Sequence, residues 1–325
     1  IARAVSVPVC VSASVASSTS PVAVVEAVLD ARPAGVTARA VSVPVATSVS
    51  VASSTIPGAV AEAALAVIAA ATPAYLLDMQ PWMLILDIAA SPGGKTSQLA
   101  NSLLSLNSPV SDMKNQEKKI INEYTAWLVI ANDIDSLRIR TLEENLKRMG
   151  CRNTATTKLD GTKWGALYPE LFDAILVDAP CSGEGTAFKS DDALAHRRME
   201  EIKKIAGLQK QILESAIHAC KVGGQIIYST CTLNSIENEW VLGSLLKKYT
   251  WIIELEKPKT MNTAIGYEQE DFSSIQTKCV ARFWPHLQKT GWFFVCRIKK
   301  IASSNQEKKQ KDTKITVWKK FNRKI

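Results

Sequence analysis

Between residues 84 and 229 the chain repeats one pattern: a short apolar run, a turn of small or acidic residues, then a helical stretch. The apolar runs are Leu84–Ile88, Ala126–Ala131, Ala155–Leu159, Phe172–Val177 and Gln225–Ser229. Runs of this length, closed by turn residues, read as buried strands. Helices are expected after Thr96 to about Leu106, over Ser136–Met149, over Ile205–Cys220 and over Glu237–Tyr249. The second carries Leu137, Leu142 and Leu146 on its apolar side and meets a stop at Gly150. Strands alternating with helices over 84–250 constrain the chain to an α/β fold with a doubly wound, mostly parallel sheet and helices on both faces. Trp292–Ile298 adds a late strand. Ligands of such sheets sit beyond the carboxyl ends of the strands, so the turns after the apolar runs are where chemistry belongs.

Those turns are unusual. After the first run comes Ala89-Ala90-Ser91-Pro92-Gly93-Gly94-Lys95-Thr96, a glycine loop opening a helix. Small residues there let backbone N–H groups approach a nucleotide-type ligand. The loop is not the phosphate-binding GxxxxGK[ST], because its first glycine is missing; taken alone it is equally a tight strand-to-helix connection. The second run ends at Asn132-Asp133-Ile134-Asp135, where a carboxylate can accept hydrogen bonds from ribose hydroxyls. Asp135 can instead serve as a helix N-cap. The third ends at Asp160-Gly161, a place to contact an adenine edge. The fourth ends in Asp178-Ala179-Pro180-Cys181-Ser182-Gly183-Glu184-Gly185 and the fifth in Ser229-Thr230-Cys231-Thr232. Two strand-end thiols and an upstream glycine loop constrain function far more than any one of them.

Thirty-nine Lys and Arg face 31 Asp and Glu, a net charge of +8 that suits a polyanion such as nucleic acid. Seven cysteines are scattered with no CxxC pair, which argues against a zinc ribbon and for a reduced, intracellular setting. No metal site, membrane span or secretory signal is expected. Cys151, Cys220, Cys279 and Cys296 read as buried inert hydrophobes. His196, His218 and His286 form no triad or ligand pattern, and Trp284, Trp292, Phe293 and Phe294 read as core before base-stacking groups.

Residues 1–75 differ from the rest. They hold six charged residues and no lysine, and Ala2–Val9 recurs as Ala38–Val45 at a spacing of 36. Two copies are too few for a solenoid. The monotony of Ala, Val and Ser is what a segment built without a known sequence would show; peptide sequencing that matched these residues would dispose of that reading. No function is taken from their side chains. Residues 107–125 form a polar insertion and 301–325 a basic polar tail.

The motifs LDIAASPGGKT (86–96), NDID with Arg138, DG (160–161), DAPCSGEG (178–185), STCT (229–232) and PHLQKTGWFFV (285–295) resemble, in order, those of the RNA cytosine-C5 methyltransferases of the Nop2/Sun (Fmu) family. The resemblance covers about Leu84 to Lys299. It implies a Rossmann-like methyltransferase domain over 76–300 that uses S-adenosylmethionine, with an RNA-binding part in 1–75, where no match is visible. Ser91 stands where the family has alanine. By resemblance, Ala89, Ala90, Ser91, Pro92, Gly93, Gly94 and Lys95 surround the cofactor, Asp133 with Arg138 its ribose, Asp160 its adenine, and Asp178 its methyl-bearing end.

The resemblance also implies the chemistry. Carbon 5 of cytosine is too electron-poor to attack a methyl group unaided, and a thiolate added at carbon 6 makes it enamine-like. Cys231 would be that nucleophile, and Cys181 would assist release of the methylated RNA. Asp178 would hydrogen-bond the base near N3 and N4, and Lys95 would add positive charge. Attack requires a thiolate, so Cys231 should have a lowered pKa. The target base must be single-stranded or flipped out. Lys189, Arg197, Arg198, Lys203 and Lys204 could hold the RNA backbone or simply face solvent. Ribosomal RNA is favoured over tRNA as substrate, with a ribosomal subunit or assembly proteins as partners. A ribosome-assembly factor that keeps the fold without catalysis is the alternative of another class, and intact Asp178, Cys181 and Cys231 argue against it.

Overall fold

A computed structural model describes residues 72–80, 83–106, 128–183, 198–257, 263–288 and 291–304. The insertion at 107–125, nearly all of 1–75 and most of the tail lie outside them, as do Cys10, Lys189, His196 and Arg197.

The chain runs β1 (Leu84–Asp87), α1 (Gly94–Leu106), β2 (Leu128–Asp133), α2 (Ser136–Arg148), β3 (Thr154–Lys158), α3 (Trp164–Leu167), β4 (Phe172–Asp178), α4 (Met199–Ala219) and β5 (Cys220–Thr230). It continues with α5 (Glu239–Lys248), β6 (Ile253–Glu256), α6 (Ser274–Thr277), β7 (Val280–Phe283), α7 (Pro285–Gln288) and β8 (Phe293–Lys300). All the strands join one sheet, in the order β3-β2-β1-β4-β5-β8-β6. The first five pair in parallel. β8 lies antiparallel to β5. Its other edge is shared: β6 pairs with Arg297–Lys300 and β7 with Phe293–Cys296.

Both faces of the sheet are apolar, and side chains alternate between them as strand geometry requires. Leu86, Ile175, Val177, Ile226 and Tyr228 pack under α4 and α5. Ile85, Ala174, Leu176 and Ile227 pack under α1 together with Leu76, Leu77, Phe283 and Phe293. Phe294 and Phe293 are thus both core, one on each face. The expected doubly wound, parallel-dominated sheet is what forms.

Several expected details differ. α4 begins at Met199 and takes in Lys203 and Lys204, because Glu200 and Glu201 suit the positive end of a helix. Leu137 is exposed while Leu142 and Leu146 are buried. Five helical residues turn the chain by about 500°, which puts Leu137 far round from Leu142. Gly223 and Gly224 lie inside β5, at the irregularity where Phe172 pairs with Cys220 but Ala174 with Gln225. They loop residues out of the ladder instead of preceding the strand. β6 and β7 were not expected: each is four residues long, too short to show a period.

Candidate active site

The ends of β1, β2, β4 and β5 converge at the carboxyl edge of the sheet, and the predicted residues gather there in two groups.

The first group forms around the thiols. Cys181 Sγ lies 2.9 Å from Cys231 Sγ, so loops fifty residues apart place one thiol against the other. Their proton affinities are split. Cys181 is held well above the usual cysteine range, first by its hydrogen bond to Cys231 and then by burial. Cys231 is held below that range, first by the same hydrogen bond, with Lys95 helping while burial and Asp178 oppose. The split makes Cys231 the thiol of the pair that ionises first, with Cys181 keeping its proton to higher pH. Beside the pair, Lys95 Nζ donates to Asp178 Oδ2 at 2.7 Å and Ser229 Oγ to Asp178 Oδ1 at 2.8 Å. Burial opposes the charge on Lys95, yet Asp178, Asp87 and Cys231 outweigh it and hold the ammonium above its ordinary range. Lys95 also lies 5.8 Å from the centre of the Phe293 ring.

The second group is the glycine loop and its supports. Arg138 reaches back from α2, donating to Ser91 O at 3.1 Å, while Ser91 Oγ donates to Arg138 O at 3.0 Å. The serine at 91 is thus engaged through both its hydroxyl and its carbonyl. Asn145 Nδ2 donates to Pro92 O at 2.8 Å. Gly93 has φ +104°, and a Cβ there would meet Leu142 Cδ1 at 2.9 Å. Only glycine fits that turn without strain. Gly94 faces open space. Asp133 is buried at the end of β2; its Oδ1 accepts from Asp135 N–H at 3.0 Å, and its Oδ2 lies 3.4 Å from Arg138 Nε with no hydrogen bond reaching it. Asp135 caps α2 by accepting from the N–H groups of Leu137 and Arg138. Asp160 accepts from Thr162 N–H and Oγ1, which lower its pKa and tie it into the turn after β3.

Some residues of the site were missed. Asp87 is buried and accepts from Thr96 Oγ1 at 2.7 Å, with its Oδ1 unpartnered. Burial first, and then the charge of Asp178, push its carboxyl up to about 7. Asp87 and Thr96 stand in the quoted glycine motif, but an acid at a strand end gives no sign of its burial. Asn132 fastens β2 to its neighbours, donating to Ile88 O at 3.0 Å and Leu159 O at 2.8 Å. Glu237 and Gln209 are buried behind the Cys181 loop. Beyond them Arg282 and Glu239, both fully buried, form an ion pair joining β7 to α5, with Arg282 Nε donating to Oε1 at 2.8 Å.

Other expectations are also placed. Cys220 and Cys296 are buried and free, their thiols pushed up by burial, whereas Cys151 and Cys279, also free, are only half-buried and not the fully buried groups expected. His218 is structural, bonded to Tyr249 OH and Ser304 Oγ at 2.9 Å each. Arg198, Lys203 and Lys204 are exposed at the start of α4. A cavity of about 240 Å³ between α5, β6 and α6 includes none of the predicted site residues. Among the described residues no three His, Cys, Asp or Glu side chains are grouped to hold a metal, and no helix is long and apolar enough to cross a membrane.

Chemically, the site offers two thiols in contact, one of them made more acidic than the other, a carboxylate fixed by an ammonium and a hydroxyl, and a glycine cradle beside a buried acid. Residues 74–299 match the family described as 16S rRNA methyltransferase RsmB/F. "Ribosomal RNA small subunit methyltransferase F" of Vibrio cholerae serotype O1 (strain M66-2) is 37% identical over 221 residues, 67% of this chain and 41% of that protein. Its counterpart in Shewanella amazonensis (strain ATCC BAA-1098 / SB2B) is 38% identical over 230 residues, 71% of this chain and 44% of that protein. The chain thus spans about two fifths of the length of the curated relatives it matches. Among solved structures, NSun6 from Pyrococcus horikoshii with SFG is similar at a TM-score of 0.58 and 29% identity, over 73% of this chain and 52% of that one.

Proposed function

The chain belongs to the 16S rRNA methyltransferase RsmB/F family, and from that premise we propose that it is an S-adenosylmethionine-dependent RNA cytosine-C5 methyltransferase acting on ribosomal RNA. The observation that carries the reading is the thiol pair, one sulfur 2.9 Å from the other, with Cys231 the more acidic of the two. A methyltransferase acting on a nucleophilic amine or hydroxyl has no need of such a pair. One acting at a carbon that must first be activated does.

The residues fit the cofactor. SFG, which the similar NSun6 structure holds, is an S-adenosylmethionine analogue. The carboxylate of Asp133 has an oxygen that no hydrogen bond reaches, ready for a ribose hydroxyl. The loop from Ala89 to Lys95 presents small residues, and Gly94 faces open space. Arg138 braces that loop, and Asp160 lies at the end of β3 for the adenine edge. When bound, S-adenosylmethionine supplies an electrophilic methyl group.

The chain's own groups do the rest. Cys231, as thiolate, adds to carbon 6 of the cytosine, and the displaced π electrons make carbon 5 nucleophilic. Asp178, an acceptor fixed on both oxygens by Lys95 and Ser229, meets the amino edge of the base. Once carbon 5 carries its methyl group, its proton passes to water, the freed electron pair re-forms the carbon 5–carbon 6 double bond, and the Cys231–carbon 6 bond breaks with its electrons returning to sulfur as the thiolate. Cys181 assists that release. Residues 1–75 supply the RNA-binding part, the protein works inside the cell, and the exposed Arg198, Lys203 and Lys204 hold the RNA backbone.

The test is a trapping assay. Cys181→Ala, mixed with S-adenosylmethionine and cellular RNA, is expected to leave a denaturant-resistant protein–RNA adduct that Cys231→Ala abolishes, and sequencing the trapped RNA is expected to return ribosomal RNA. No adduct, together with no calorimetric cofactor binding, would sink the enzyme reading in favour of an assembly factor.

A further inference from the structure

The loop that carries Cys181 is tethered on both sides of the cysteine by buried groups from other elements. Ahead of it, Pro180 O accepts from Gln209 Nε2 of α4 at 2.8 Å. Behind it, Ser182 N–H donates to Glu237 Oε2 at 2.8 Å. The two tethers are themselves joined, because Gln209 Nε2 also donates to Glu237 Oε2 at 2.8 Å. Ser182 Oγ contacts Thr232 Oγ1 at 3.3 Å, one residue beyond Cys231. Glu237 is anchored in turn by Tyr228 OH, which donates to its backbone carbonyl at 2.6 Å. Ser182, Gln209, Tyr228, Thr232 and Glu237 are all fully buried.

Such an arrangement costs stability as packing alone. A carboxylate and an amide are withdrawn from water, and Glu237 Oε1 and Gln209 Oε1 have no hydrogen-bond partner. Buried groups left half-satisfied in a native structure call for an explanation. What these hold is the backbone on either side of one thiol.

We propose that Gln209 and Glu237 are positioning residues that clamp the Cys181 loop so that its thiol meets Cys231. The catalytic purpose of the clamp rests on the methyltransferase reading above; the geometric claim does not. Without the clamp the Cys181 thiol no longer donates to Cys231, and Cys231 loses the hydrogen bond that favours its thiolate.

The experiment measures the pH dependence of Cys231 alkylation by iodoacetamide, site-resolved by mass spectrometry, in the full chain. Gln209→Met, of similar volume but with no donor, is expected to shift the profile upward by about one pH unit, about tenfold less thiolate at neutral pH. Cys181→Ala is expected to give a comparable shift, and Gln209→Met added to Cys181→Ala no further one, because the clamp acts through that thiol. An unshifted profile, or an equal shift with and without Cys181, overturns the proposal. Glu237→Gln serves as the second variant should Gln209→Met melt early in circular dichroism, and unfolding of both overturns the proposal by making the cluster plain core. With RNA and S-adenosylmethionine, Gln209→Met is expected to accumulate the covalent adduct as Cys181→Ala does. An adduct in Cys181→Ala but not in Gln209→Met defeats the catalytic purpose. No adduct in either, together with no calorimetric cofactor binding, defeats the methyltransferase reading and leaves the alkylation result standing.

Discussion

At the scale of single residues, Asp87 shows how burial can be read as a pH dependence. Its carboxyl is pushed up to about 7, chiefly by burial. In the unfolded chain it titrates near its ordinary value, so between roughly pH 4 and 7 the native state holds a proton that the unfolded state has lost. Native binds more protons, and stability therefore falls as pH rises through that window. The full difference is about 4 kcal/mol, as an order of magnitude. Asp87→Asn, which still lets Thr96 donate, is expected to flatten urea-melt stability between pH 5 and 8 and to gain on the wild type at the upper end. A variant with the same slope as the wild type would remove Asp87 from that role. The sequence places Asp87 beside the glycine loop, and nothing in the sequence says that it is sealed. Likewise both thiols are legible as strand-end residues in a family pattern, but their pairing is not: residues fifty apart meet only because β4 and β5 are neighbours in register.

At the scale of elements, the glycine loop and α2 form one unit. Arg138 and Asn145 hold the loop's carbonyls, and Leu142 packs against Gly93. Gly93→Ala adds a Cβ at 2.9 Å from Leu142 and keeps a φ of +104° that alanine resists. We expect it to cost about 1–3 kcal/mol in denaturant melts and to weaken S-adenosylmethionine binding in calorimetry. An unchanged melt would mean that the turn relaxes freely. α5 is fixed differently, by the Arg282–Glu239 pair, where Glu239 Oε1 also accepts from Tyr267 N–H at 2.9 Å. Arg282→Met strands that carboxylate, and the expected loss is about 3–5 kcal/mol. Replacing both partners by apolar residues should cost less than replacing Arg282 alone, which a double-mutant cycle would measure. Period and turn chemistry make β1 to β5 and the main helices legible in the sequence. The four-residue β6 and β7 stay hidden because they exist only as edges laid on β8.

At the scale of the whole molecule, the sheet is divided by β1 and β4. β1 to β3 and their loops carry Asp133, Arg138 and Asp160; β4 and β5 carry Asp178 and both cysteines. Lys95 crosses the divide to reach Asp178. The second half depends on β8, which pairs with β5 from Gln225 to Thr230 and receives β6 and β7 on its other edge. A chain ending at residue 290 leaves the edge of β5 open and uncovers Ile226, Ile227 and Tyr228. Exposed apolar edges pair with other chains, so we expect that truncation to elute as aggregate in size-exclusion chromatography while the full chain does not. The alternation of strands and helices makes the parallel half of the sheet legible. That the last strand runs backwards is not, since a strand's direction depends on which edge is left for it.

The place of β8 also matters in time. A polypeptide leaves the ribosome from its first residue to its last, and β5 with Cys231 directly after it emerges well before Phe293. Through the synthesis of α5, β6 and β7 the nascent protein already carries both thiols, yet lacks the strand that seals them into one sheet. That half of the sheet is made early and finished late, complete only when the final stretch of the domain has been translated.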